Sequence, residues 1–166
     1  VCGMTGAGKT NTMFHLLRSL NRPLLVIEPV KSEYYQLKDT FSDLQVFSMS
    51  VGDSNVLRVN PFWFPAGGSL QYHIDSVKTI ISSAFALYAA MPNILEQCLY
   101  RIYRRCGWNI SNSRNIYEGL LPEEYLYPTF HTLCEEIERY LDESDYEGEN
   151  LSTYKGALLT RLQSFS

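Results

Sequence analysis

The sequence predicts an α/β chain in which a parallel-sheet core, represented by its N-terminal strands alone, gives way to a helical subdomain. Three observations carry that expectation. A glycine-rich segment, Gly3-Met4-Thr5-Gly6-Ala7-Gly8-Lys9-Thr10, opens the chain and leads directly into a helical pattern. Leu24-Leu25-Val26-Ile27 is a short continuous apolar run of the kind a parallel strand shows when both its faces are buried. From Gly67 onward the apolar residues recur every three or four positions. The boundary is placed between residues 1–65, the core, and 66–166, the helical part.

Taken in order, Val1-Cys2 is the end of a first strand. Asn11 to Leu20 carries Met13, Leu16, Leu17 and Leu20 at helical spacing and ends at Asn21-Arg22-Pro23. Leu24–Ile27 is the second strand, stopped by Glu28-Pro29, and Leu44 to Met49 reads as another. Val51 to Asn55 is a turn, and Val56 to Asn60 leads extended into Pro61-Phe62-Trp63-Phe64-Pro65. The first long helix has Ser69 as its N-cap and Leu70, Ile74, Val77, Ile81, Ala84 or Phe85, and Tyr88 on one face. Pro92 suits the first turn of the next, which buries Leu95, Cys98, Leu99, Ile102 and Cys106 before Gly107 ends it. Residues 108–127 read as an irregular connection. Pro128 starts a third helix facing inward with Phe130, Leu133, Ile137 and Leu141, and Leu151, Tyr154, Leu158, Leu162 and Phe165 mark a fourth.

Composition sets limits. With 45% hydrophobic and 19% charged residues the chain is ordinary for a globular protein, and no run nears the roughly 20 apolar residues that span a bilayer. The net charge of −4 is uneven. Residues 135–149 hold eight of the 18 acids and one of the 14 basic residues, so the remainder has 13 basic against 10 acidic. The acidic stretch is placed on a solvated outer face, and no basic stripe marks a nucleic-acid surface. Cys2, Cys98, Cys106 and Cys134 lack metal-ligand or CxxC spacing and read as buried free thiols. His15, His73 and His131 lie on three separate helical segments and are assigned to solvent or core. The missing initiator Met, the two-residue first strand and the unterminated last helix are those expected of an internal fragment of a longer protein.

The chemistry resides in the opening loop. Residues 3–10 satisfy GxxxxGK[ST], which chance supplies in on the order of one chain in 200 of this length. Glycines let the backbone close around phosphates with its N–H groups inward, and the following helix presents its positive end. Lys9 is expected on the β- and γ-phosphates and the Thr10 hydroxyl on Mg²⁺, with residues Gly3, Met4, Thr5, Gly6, Ala7, Gly8, Lys9, Thr10 and Asn11 holding ATP.

Three segments give this loop a family context. With Gly3 to Thr12, Ile27-Glu28-Pro29-Val30-Lys31-Ser32-Glu33-Tyr34 and Arg58-Val59-Asn60-Pro61-Phe62 the chain resembles the HerA/FtsK-like ATPases. Pro128-Thr129-Phe130 and Ala157 to Leu162 are similar to the helical region preceding that family's acidic strand. The resemblance implies a RecA-like core, a homo-hexamer, ATP-driven movement along double-stranded DNA, a possible nuclease partner and a cytoplasmic location. It also implies an acidic strand, a polar sensor and an inter-subunit arginine beyond Ser166, so that the fragment alone is expected to be inactive. Glu33 is a candidate to act on the attacking water; the alternative, which is favoured, is that Glu33 and Lys31 orient a loop at a subunit interface. Phe62, Trp63 and Phe64 are expected to plug the junction between core and helical subdomain, and Arg101, Arg104 and Arg105 to form a solvated face. Two rivals stand beside the motor: a small-molecule kinase, and a nucleotide-regulated P-loop scaffold that assembles partners.

Overall fold

A computed structural model describes residues 1–166 except 21, 29–31, 49–54, 145–147 and 166, and the side chains of 148–151. The chain divides into two compact units, Val1–Arg58 and Val59–Ser166.

The second unit is built from four helices: α2 (Leu70–Ala84), α3 (Met91–Arg105), α4 (Phe130–Asp142) and α5 (Gly148–Leu162). Each starts and stops for local reasons. The Ser69 hydroxyl accepts the Tyr72 amide at 3.3 Å, and the Ser113 hydroxyl accepts the Leu70 amide at 2.8 Å, so two of the helix's orphan donors are satisfied. Proline occupies the first turn of α3, where no intrahelical donor is needed. Gly107 ends α3 at φ +90°, and a Cβ there would stand 2.7 Å from the Tyr117 ring. Thr129 and Thr132 form a reciprocal capping box that opens α4.

Amphipathicity then closes the core. α3 packs against α2 and α4, and α4 against α5. Leu70, Ile74, Leu95, Cys98, Leu99, Leu133, Ile137, Leu141 and Leu158 are fully buried. The loop before α2 completes the interior. Asn60 donates to the Pro128 carbonyl at 2.8 Å and accepts the Phe62 amide at 3.1 Å. That anchor delivers Phe62 edge-on to Phe130, and the Phe62 carbonyl accepts the Tyr103 hydroxyl at 2.5 Å. Phe64 lies among His73, Trp108 and Tyr127, while the Trp108 indole donates to the Leu126 carbonyl at 2.6 Å. Phe62 and Phe64 are therefore core residues of the helical unit itself; Trp63 is half-exposed, donating to Glu123 at 3.0 Å. Residues 108–127, expected to be irregular, contain a short antiparallel hairpin, β1 (Trp108–Asn109) with β2 (Arg114–Asn115), and a 3₁₀ turn at Glu123–Tyr125.

The first unit corrects the predicted fold class. Among the described residues the only sheet is the β1–β2 hairpin, which is antiparallel, and no parallel sheet for a RecA-like core is present. Val1-Cys2 and Leu24–Ile27 form no strand. Leu25 and Ile27 are 87% and 81% exposed, the reverse of a strand buried on both faces. Of Leu44–Met49, Ser48 makes an isolated parallel bridge to Val56 and Met49 lies outside the described residues, as do Val51–Ser54 of the expected turn. The physical reason is that a strand exists only by its ladder: an apolar run without a neighbour to accept its amides stays extended coil. Among the described residues the helices of this unit are α1 (Lys9–Ser19) and a 3₁₀ helix, Glu33–Asp39. Phe14 meets Tyr34 edge to face at 5.3 Å, and Leu17 and Leu37 are buried.

Candidate functional site

The glycine-rich segment leads directly into α1, and Val1-Cys2 before it are not in a strand. Gly6 and Gly8 adopt φ of +82° and +77°, the left-handed region that L-residues avoid, and a Cβ on either would meet open space. The loop is tied by the Ala7 amide donating to the Met4 carbonyl at 3.1 Å. Gly8 is the N-cap of α1 and supplies no side chain, and the first turn carries no acidic residue. The positive end of α1 is therefore left without an anionic side chain from its own sequence.

Lys9 and Thr10, adjacent in sequence, point to different partners. The Lys9 ammonium folds back over the loop and donates to the Gly3 and Met4 carbonyls at 2.8 and 2.7 Å. The Thr10 hydroxyl donates to Glu33 Oε2 at 2.6 Å, a separation typical of a charge-assisted bond. Glu33 is held in turn. The Glu28 carboxylate accepts the Glu33 amide through Oε1 and the Tyr34 amide through Oε2, both at 3.2 Å. Two segments the sequence singles out separately, the loop and the acid-Pro-x-x-Glu-Tyr stretch, thus meet at Thr10–Glu33. Gly3, Met4, Thr5, Ala7 and Asn11 line the exposed part of the loop; Lys31 lies outside the described residues.

These residues fit a magnesium triphosphate. A glycine-rich loop at an uncapped, positively polarised helix start carries an ammonium already folded across it, and a hydroxyl whose proton is committed keeps its lone pairs for a cation.

Elsewhere the sequence expectations fare differently. The acidic stretch does not lie wholly in solvent: Glu136 is 2% exposed and takes Arg105 at 2.8 Å, Arg139 at 3.4 Å and Arg101 at 3.5 Å. Arg101 also reaches Glu143 at 2.7 Å and lies over the Tyr140 ring. Arg101 and Arg105 therefore neutralise a buried carboxylate, and Arg104 lies by the Tyr100 ring. A pattern signal existed, since Glu136 is one position from Ile137 on the apolar face, but charge alone argued for solvent. Cys2 is exposed whereas Cys98 and Cys134 are buried, correcting the expectation that all four thiols are interior. Burial pushes the Cys98 thiol up to about 12, with the Glu136 charge adding to it. His73 is pulled below its ordinary value by burial, against the opposing hydrogen bonds of the Pro61 and Phe62 backbone, and among the described residues its Nε2 has no hydrogen-bond partner. His15 is exposed and His131 pairs with Glu135 at 3.4 Å. Among the described residues no cluster of His, Cys, Asp or Glu could hold a metal, and no helix is long and apolar enough to cross a membrane.

No family model matches the chain, and no curated protein or solved structure shows significant similarity to it.

Proposed function

We propose that residues Gly3–Thr10 bind the phosphates of ATP with Mg²⁺, and that the intact protein hydrolyses ATP. One observation carries the reading: the complete motif folds as an open loop with Gly6 and Gly8 left-handed at the uncapped start of α1, with Lys9 folded over the loop. Backbone amides and the α1 terminus would bind the phosphate oxygens, and Lys9 would exchange the Gly3 and Met4 carbonyls for the β- and γ-phosphates. The exchange gives Lys9 a charged partner in place of two neutral ones, so binding is favoured electrostatically. Thr10 would help hold Mg²⁺, which would supply charge neutralisation of the phosphates. Phosphoryl transfer then depends on positioning and on electrostatic stabilisation of the γ-phosphate.

The resemblance to the HerA/FtsK-like ATPases adds the work done: coupling to movement along duplex DNA, in a hexamer in the cytoplasm. Support for that part rests on Glu28 to Tyr34 and Arg58 to Phe62, the segments that resemble the family. The test is ATP turnover by the intact protein with and without duplex DNA, for wild type and Lys9→Ala at equal folded content. Lys9→Ala should abolish turnover while leaving the far-ultraviolet circular dichroism unchanged; unchanged turnover sinks the ATPase assignment. Turnover indifferent to DNA sinks the motor and leaves the nucleotide-regulated scaffold.

A further inference from the structure

We propose that Glu33 and Glu28 are positioning residues for the cation at Thr10: Glu33 orients the Thr10 hydroxyl, and Glu28 holds Glu33 in place. The proposal rests on the phosphate-binding reading of the loop and assigns a task to two acids outside the motif.

Four hydroxyls within the helices bond their own backbone. Thr12 donates to the Gly8 carbonyl, Ser19 to His15, Ser76 to Tyr72 and Thr79 to Asp75, each four residues back. Thr10 stands in the first turn of α1, where position i−4 is Gly6 of the loop and no helical carbonyl is available. Its hydroxyl instead donates across 23 residues to Glu33. A hydroxyl has one proton and two lone pairs. With the proton fixed on Glu33, the lone pairs point away from the carboxylate, and the bond to an anion makes the oxygen a better donor to a cation. The same carboxylate would add negative charge behind the hydroxyl, as the outer partners of metal ligands do.

Glu33 stands at the start of a 3₁₀ helix, where Glu28 anchors its backbone. The two Glu28 oxygens take the Glu33 and Tyr34 amides, the donors a helix start leaves unsatisfied, so the backbone of Glu33 is fixed before its side chain reaches Thr10. Tyr34, bound to the same carboxylate, packs on Phe14 of α1, one helical turn along from Thr10. Carboxylate, 3₁₀ helix and α1 thus form a closed circuit that ends on the Thr10 hydroxyl. Both acids act here through the Thr10 hydroxyl, which separates their assigned role from that of Lys9.

The experiment is a fluorescent ATP analogue titrated into the intact protein, once in excess EDTA and once across a Mg²⁺ series. Positioning residues should leave metal-free affinity within about twofold and raise the Mg²⁺ concentration for half-maximal effect by roughly tenfold or more. Glu33→Ala should show the larger shift and Glu28→Ala a smaller one, and the double variant should match Glu33→Ala, because Glu28 acts through Glu33. Added to Thr10→Ala, which should itself raise the Mg²⁺ midpoint, Glu33→Ala should change nothing further. An unchanged Mg²⁺ midpoint in Glu33→Ala overturns the proposal. So does an equal loss with and without metal, the signature of a merely structural role. Wild-type protein that binds no nucleotide in either condition overturns the phosphate reading itself, a failure distinct from the other two.

Discussion

Val59–Ser166 and Val1–Arg58 are similar in hydrophobic content, yet they dispose of it in opposite ways. In the helical unit the apolar stripes of α2, α3, α4 and α5 face one another, and Tyr103, Leu99, Leu133 and Ile137 are shut from solvent. In the loop-bearing unit the apolar run Leu24–Ile27 is largely exposed, and so are Val1, Met4 and Phe47. A helix satisfies its backbone internally and needs neighbours for its side chains alone. A strand needs neighbours for both. The same apolar content therefore gives a closed core where helices supply it and open coil where strands would have been required.

That contrast can be broken or sharpened by experiment. The thiols should show the largest difference. With its thiol raised to about 12, roughly one Cys98 in ten thousand carries the reactive thiolate at pH 8, and its sulfur is fully covered. Titration of the native protein with a disulfide reagent should therefore modify Cys2 within the mixing time, and Cys98 and Cys134 only as the helical unit unfolds. Fast reaction of Cys98 would mean that the core is open. Next in size is truncation of that core. Ile137→Ala removes a fully buried side chain and should cost about 2–5 kcal/mol in urea unfolding; a value below 1 kcal/mol would show that α4 is not packed as described.

A smaller effect follows from His73. Its folded-state value lies below the ordinary 6.5, so the neutral ring is the form the fold prefers. The stability it contributes is complete above about pH 6.5 and is lost as pH falls from there toward the folded-state value. The urea midpoint of the helical transition should drop between pH 7.5 and 5.5, and His73→Gln should flatten that slope. Leu25→Ser should do least. At 87% exposure the side chain has little burial to lose, so unfolding should change by no more than about 0.5 kcal/mol. A cost like that of Ile137→Ala would show that Leu25 is covered in solution.

The helical half was legible because its signals are local. Ser69 before Leu70, Pro92 in the first turn, Gly107 after the last and the Phe130–Leu133–Ile137–Leu141 spacing each refer to residues within a few positions, and helices form at all of them. The glycines and Lys9 of the loop were legible for the same reason. Leu24–Ile27 was misread because a continuous apolar run records an affinity for burial and says nothing about which strand will pair with it. Two features of the site had no local signal. The reach from Thr10 to Glu33 and the grip of Glu28 on two amides depend on how the chain turns back between them. Glu136 was missed because a carboxylate on a buried face is legible when its arginine partners are known, and these come from α3 and from its own helix.

Both tryptophans, Trp63 and Trp108, belong to the helical unit, and they differ in setting: the first is half-exposed, the second enclosed by Phe64 and Tyr127. Selective excitation of indole emission is therefore a spectroscopic window onto Val59–Ser166 that leaves the loop-bearing unit dark. A red shift during denaturation dates the opening of the aromatic cluster around Trp108. The first 58 residues need a label of their own, and the exposed Cys2, one position from Gly3, is already placed to carry a dye beside the loop.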